Sequence, residues 1–308
     1  MQLAVGDRIG AYRIVGHFVG HTYRGVHAGS PGRRVLIELV PRTSWREGSV
    51  QMLRAQRLVD SLQHPGIARI LEIGMLADRT PWMAVEVPGG GSLYELLATR
   101  RLPPSETAAL IRDIADVLAH AHARGVVHGA LSVRSIMFRT PAQPGLVVAD
   151  WGLCVEELTV FCAPELSTGL AFDGRADVYS LGVMAFCAAT QMFPGDCGVF
   201  DVPGVPTALA TLIARMLAVD PNERPTAAEV HAVAHELLAD DEVDTQPIVR
   251  VEAVPEPASA FESGPHGEDI VYPGAPRIGR PRWTPSPDLP ITSERAPTAS
   301  GEIRKKRD

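Results

Sequence analysis

The residues of this chain that could do chemistry are few and scattered. Asp150, in Asp150-Trp151-Gly152, follows the apolar run Val147-Val148-Ala149 and so places a carboxylate in a turn at the end of a strand. Such an acid can cap its own turn through Gly152, and an acid-aromatic-glycine turn by itself assigns nothing more. His120 and His122 lie two positions apart in a helical stretch. Residues at that spacing point to different faces, so they are not a metal-binding pair. His17 and His21 sit in the glycine-bearing stretch Val15 to Tyr23, where an imidazolium could partly offset a phosphate charge; a surface histidine is the plainer reading. Cys154, Cys162, Cys187 and Cys197 form no CxxC pair and no ligand series with histidine. They read as small buried hydrophobes in a reducing compartment, and no metal cluster is expected. The net charge of -7 argues against general attraction to nucleic acid or anionic membranes.

These residues need elements to hold them. Residues 11–17, 21–28 and 33–40 carry Tyr, Ile, Val and Phe between glycine-rich turns and read as strands. A helix follows over about 46–63, with Met52, Leu53, Leu58, Val59 and Leu62 at helical spacing, and His64-Pro65-Gly66 stops it. Two more strands fit 67–74 and 82–87, and Gly89-Gly90-Gly91 makes a hinge behind them. Helices are expected at 104–124, 175–190, 207–218 and 226–238. Five strands followed by helices predict an α+β fold with two lobes. Composition changes near Asp240. Residues 241–308 hold eleven of the 26 prolines, lack apolar periodicity and read as a disordered tail, acidic first and basic at Arg304-Lys305-Lys306-Arg307. Four exposed charges are ordinarily just solvated. The start, MQLAVGDRIGAYR, lacks the pattern of a signal peptide. The most apolar stretch, Leu181 to Ala189, is about half of a membrane span, so a cytoplasmic location is expected.

Read in order, the segments resemble the eukaryotic-type serine/threonine protein kinases of bacteria. The resemblance is carried by HPGIARILEIG at 64–74, MAVEVPGGGSLYELL at 83–97, HARGVVHGALSVRSIMF at 122–138, VVADWG at 147–152, CAPEL at 162–166, DVYSLGV at 177–183 and DPNERPTAAEV at 220–230. No one of these decides; their collinearity does. The resemblance implies a bilobal kinase-like domain over 8–238, with a five-stranded N-lobe at 8–88 and a mainly helical C-lobe at 89–238.

Phosphoryl transfer needs the phosphates held, metal ions placed and the substrate hydroxyl relieved of its proton. The resemblance tests each part. Of the family's glycine loop only Gly20 remains when the stretch is aligned on Tyr23, with Gly16 available if the loop slips by one; an ordinary hairpin turn explains it equally well. The phosphate-gripping lysine aligns with Glu38, and its helix glutamate partner with Ala55. One charge pair at about 4 Å and an effective dielectric near 20 is worth roughly 4 kcal/mol, so the sign reversal turns an attraction of that order into repulsion. Leu36 replaces the small residue that roofs adenine and narrows the pocket. The base aspartate aligns with Ala130, the following lysine with Ser132 and the metal-binding asparagine with Ser135. Loss of a positioned base alone costs about 10²–10⁴ in rate. Asp150 matches the magnesium aspartate of active relatives. Nucleotide contacts, if any exist, would come from Gly16, Gly20, Leu36, Val85, Glu86, Val87, Met137 and Asp150.

Positions that serve folding are kept. By resemblance Trp151, His128 and Val59 belong to an apolar stack between the lobes, Glu165 and Arg224 form a buried ion pair, and Asp177 holds the catalytic-loop backbone. The segment from Asp150 to Glu165 is short, with Thr159 its one evident phosphorylatable residue, and Gln191 to Pro206 has little room for a helix. The expectation is a pseudokinase acting as a scaffold or regulator, with no cofactor and at best weak ATP and magnesium binding. Its partner would be a protein, either a true kinase or a phosphopeptide-reading domain. Thr245, after the acidic run from Asp240 and with Ile248 three residues on, resembles the phosphothreonine peptides such domains take. The alternatives are a weak or atypical ATP-dependent kinase or other nucleotide transferase working through Asp150, and a nucleotide-sensing switch without turnover.

Overall fold

Short runs of β-branched and aromatic residues between glycine turns build an antiparallel sheet. The computed structural model describes residues 3–40, 45–151, 160–167, 173–194 and 204–240. Its first strands are β1 (Arg8–Ile9), β2 (Tyr12–Val19), β3 (Thr22–His27), β4 (Ser30–Leu39), β5 (Ile70–Met75) and β6 (Pro81–Glu86). They form one sheet of six strands in the order β1-β2-β3-β4-β6-β5. The expected five strands thus gain a sixth. At two residues β1 is too short to show alternation, although Ile9 pairs with Tyr12 across the turn. Residues 67–69, expected within a strand, instead cross toward the other lobe, where Ile67 bridges Val148.

Alternation along β4 sorts its side chains between two faces. Val35, Ile37 and Leu39 join Tyr12, Ile14, Tyr23 and Trp82 in one apolar cluster. Leu36 and Val40 face the other way, into a cluster with Met52, Met83, Val85, Met137 and Val147. Glu38 falls between Leu36 and Val40 and therefore on this second face, the one covered by α1 (Trp45–Leu62). The buried row of α1 is Met52, Ala55, Val59 and Leu62, at intervals of three, four and three. Leu53, expected in that row, is 54% exposed because it stands one position off it.

The chain passes to the second lobe through Gly90, whose N–H donates to the Phe138 carbonyl at 3.0 Å. A Cβ at Gly90 would run into the Arg139 carbonyl, so only glycine fits the crossing. The lobe comprises α2 (Leu93–Leu97), α3 (Pro104–His122), the hairpin β7 (Ile136–Phe138) and β8 (Leu146–Val148), α4 (Pro164–Ser167), α5 (Arg175–Thr190), α6 (Thr207–Met216) and α7 (Ala227–Asp240). α5 is buried on all sides from Ala176 to Ala189 except at Tyr179, as a helix without a polar face must be. Among the described residues no helix is long and apolar enough to cross a membrane. Burial pushes the Cys187 thiol up to about 12, which keeps it an inert core group. Cys154, Cys197, Thr159, Gly152 and the expected tail, with Thr245, lie outside the described residues.

Arg224, 3% exposed, ties the lobe together. Its guanidinium donates to both oxygens of Glu165, at 2.6 and 2.9 Å, and to the carbonyls of Ala218, Val219 and Arg175. It also lies 4.8 Å from the centre of the Tyr179 ring. Burial alone would raise the Glu165 carboxyl, but the hydrogen bonds from Arg224 outweigh it and hold the group below the usual carboxylate range. Arg224→Ala takes the guanidinium away from that half-buried carboxylate. Urea unfolding at neutral pH should show a loss of about 3–5 kcal/mol. The gap to the parent protein should shrink as pH falls through the carboxylate range, because the pair's contribution disappears once Glu165 is protonated.

Candidate functional site

The cleft between the lobes collects the positions singled out in the sequence. Its upper edge is the β2–β3 hairpin. Gly20 takes the first of two turn positions with φ +53, which a two-residue hairpin favours and glycine supplies. His17 folds back on the same hairpin, its Nε2–H donating to the Gly20 carbonyl at 2.9 Å and its ring 5.2 Å from that of Tyr23. Gly16 sits beside a register shift in β2, and nothing lies within 4 Å of the space a Cβ would fill there.

Below the hairpin, Leu36, Val85 and Met137 pack in one apolar cluster and are each no more than 7% exposed. Phe18 joins them from the hairpin and Val87 from the chain beyond β6. The backbone behind them is engaged. Glu86 pairs with Val35 in the sheet, and the Val87 N–H donates to the Arg34 carbonyl at 3.3 Å.

Glu38 points into the same region. Its carboxyl is enclosed by protein, although the residue keeps part of its surface in the cleft. Burial first, and the charge of Asp150 second, push it up to about 8. No cation or hydrogen-bond donor meets it among the described residues. Ala55, on α1, is fully buried.

Asp150 follows β8 with φ +64, a left-handed conformation that aspartate tolerates better than most residues. Burial raises its carboxyl, while hydrogen bonding from Ser135 favours the charged form. Ser135 is itself buried, 3.5 Å from the Ser132 hydroxyl, and its carbonyl accepts from Ala149. Ser132 also accepts from the Arg134 N–H at 3.3 Å, so its hydroxyl serves the loop's own turn while that of Ser135 reaches Asp150. Ala130 offers no proton acceptor on its side chain. Trp151 is 2% exposed, donates from its indole N–H to the Val148 carbonyl and lies 4.7 Å from the His128 ring. The His128 ring is held at both ends: Nε2–H donates to Ala149 and Nδ1 accepts from Ala130.

The loop bearing these residues hangs on Asp177, at the start of α5. One carboxylate oxygen accepts the His128 N–H at 2.8 Å and the other the Gly129 N–H at 2.7 Å. His122 adds a third hydrogen bond at 2.8 Å. His120 turns elsewhere, to the Leu62 carbonyl and the His64 ring, so the two histidines do not converge.

One feature of the cleft escaped the sequence. At its mouth Arg24 of β3 donates to Glu95 of α2 at 2.6 Å and lies 5.1 Å from the centre of the Phe18 ring. Glu95 also accepts from the Ser92 N–H in a capping box. Burial opposes its charge, but bonds from Arg24 and Ser92 together hold the carboxyl below its ordinary range. The Ser92-x-x-Glu95 spacing signals the cap; nothing local signals a partner 71 residues away.

A profile of the protein kinase domain matches residues 18–198, and the chain belongs to that family. It is similar to the serine/threonine-protein kinase pkn2 of Myxococcus xanthus, 26% identical with 72% of this chain and 31% of that protein aligned. It is similar also to PknJ of Mycobacterium tuberculosis, 27% identical over 60% of this chain and 37% of that one. The chain therefore spans about a third of the length of these curated relatives. Among solved structures, a double mutant of the PknI kinase domain of Mycobacterium tuberculosis superposes with a TM-score of 0.64 at 25% identity, covering 76% of this chain and 99% of that one.

Because Asp177 uses both oxygens as acceptors, Asp177→Asn must turn an amide N–H₂ toward a backbone donor. Chemical denaturation should show a loss of about 2–4 kcal/mol for Asp177→Asn, and about 1–2 kcal/mol for Ser135→Ala, which removes the hydroxyl bonded to Asp150.

Proposed function

We propose that this domain works as a pseudokinase, a kinase fold that signals by binding other proteins rather than by transferring phosphate. The observation that carries the reading is the meeting of two acids, Glu38 and Asp150, in one enclosed region with no cation between them among the described residues. Neither side chain can supply the positive charge that the phosphates of a nucleotide need. The residues present do not fit a magnesium nucleotide in other respects. The apolar side chains that would clasp a base already pack on one another, the Ser132 hydroxyl is taken up in its own turn, that of Ser135 bonds Asp150, and position 130 supplies no base. Chemistry through Asp150 alone would need a second metal-ligating group beside it. Among the described residues no three histidine, cysteine or acidic side chains gather to hold a metal ion.

A protein partner is the natural ligand for a fold with these properties. The threonine at 245 follows an acidic run on a stretch that a phosphopeptide-reading domain could take, once a true kinase has modified it. Such a role suits a reducing cytoplasm, in which the Cys187 thiol stays as it is.

Thermal unfolding with millimolar ATP, with and without Mg²⁺, tests the reading directly. No shift in midpoint and no γ-phosphate transfer are expected; transfer that Asp150→Ala abolishes would overturn it. For the partner, a phosphothreonine peptide spanning 238–252 should bind a phosphopeptide-reading domain at least tenfold more tightly than its unmodified form.

A further inference from the structure

The register of β2 against β3 slips twice, and both slips bear on Phe18. Ile14 stands opposite Gly25 and Gly16 opposite Arg24, so Val15 is an extra residue and the alternation of β2 reverses beyond it. Without that slip Phe18 would face the side of Tyr12 and Ile14. The second slip runs from His17 opposite Tyr23 to Val19 opposite Thr22, and Phe18 bulges out of the ladder between them. Arg24 in turn stands opposite Leu36, whose side of the sheet faces the cleft. Phe18 accordingly packs against the apolar cluster of Leu36, Val85, Met137 and Val147.

A second set of contacts pins it there. The Arg24 guanidinium lies over the Phe18 ring, 5.1 Å from its centre, where a cation is attracted to the ring face. The same guanidinium donates to Glu95 at 2.6 Å. Glu95 cannot follow the hairpin, because it also accepts the Ser92 N–H at 2.8 Å, and Ser92 bridges Met137 of β7. Ring, guanidinium and carboxylate thus link the hairpin of the first lobe to the start of α2 in the second.

We infer that Phe18 is a plug for the cleft and that Arg24 and Glu95 are its clasp. The domain rests in a state in which the space for a flat ring is filled by a ring of its own. The plug is built to move: Phe18 is half-buried, it stands next to the tight turn at Gly20, and the ion pair that clasps it is partly exposed. Any ring-bearing molecule that enters must first displace Phe18, so its apparent affinity falls by the fraction of molecules in which the plug is out. The inference deepens the pseudokinase reading and rests on it, since in a cleft without a grip on phosphate apolar contact decides what enters.

Adenine, a flat ring without phosphates, probes the space in the full-length protein. At millimolar concentration it should leave the melting midpoint of the parent unchanged and raise that of Phe18→Ala, with binding at least about tenfold tighter by calorimetry. Phe18→Leu, which keeps an apolar side chain in place, should bind less than Phe18→Ala. Arg24→Ala, a change at the surface that keeps the test open if Phe18→Ala does not fold, should gain about threefold. It should also speed amide hydrogen exchange at residues 16–22 about fivefold while α3 is unchanged. Equal adenine binding by parent and Phe18→Ala, or binding by neither, would overturn the plug. Hairpin exchange that Arg24→Ala does not alter would overturn the clasp. Adenine has no phosphate to transfer, so failure here leaves the pseudokinase reading to its ATP measurements, and γ-phosphate transfer would sink that reading whatever adenine does.

Discussion

A single buried carboxylate fixes the centre of this molecule. Asp177 carries both halves of the His128-Gly129 backbone and a histidine besides, all inside protein. Buried amides left without acceptors would cost several times what a typical hydrogen bond contributes, so the loop has one stable path. That path sets where His128 stacks on Trp151, and through Trp151 where the chain leaves β8. None of it depends on what stands at position 130. The loop can lose a base and keep its shape, because the groups that shape it are main-chain amides and one aspartate.

The same separation of tasks runs through the cleft. Leu36, Val85 and Met137 fill the space among themselves, and Arg24 joins Glu95 across the mouth. Exposed ion pairs of this kind contribute little stability, about 0–1 kcal/mol. Arg24–Glu95 is therefore better read as setting the approach of the lobes than as holding them. Glu38 is the exception to the economy of the fold. A carboxylate on the covered face of a sheet is costly by itself, and natural sequences carry such costs at sites that bind something. A family fold does not name a function; the side chains in the cleft bear on it more directly.

Much of the architecture was legible in order and type. Alternation over eight or ten residues marks β2 and β4, and the three-and-four spacing of Met52, Ala55, Val59 and Leu62 marks α1. What escaped was short. β1, β7, β8 and α2 run from two to five residues, too few for a period to repeat. Leu53 shows a second limit: an apolar residue in a helix says nothing of its face until the neighbouring row is known.

The sequence by itself determined the identity of each group in the cleft: an acid at 38, alanine at 55 and 130, serine at 132 and 135, an aspartate at 150. These are local facts, and no folding can change them. Only the tertiary structure decided which of these groups meet. Arg24 and Glu95 are 71 residues apart, His128 and Asp177 are 49 apart, and a linear pattern holds no record of such pairings. The tertiary structure also decided that Glu38 lies enclosed with no donor among the described residues, because whether a carboxylate is solvated depends on every element packed around it rather than on its neighbours in the chain.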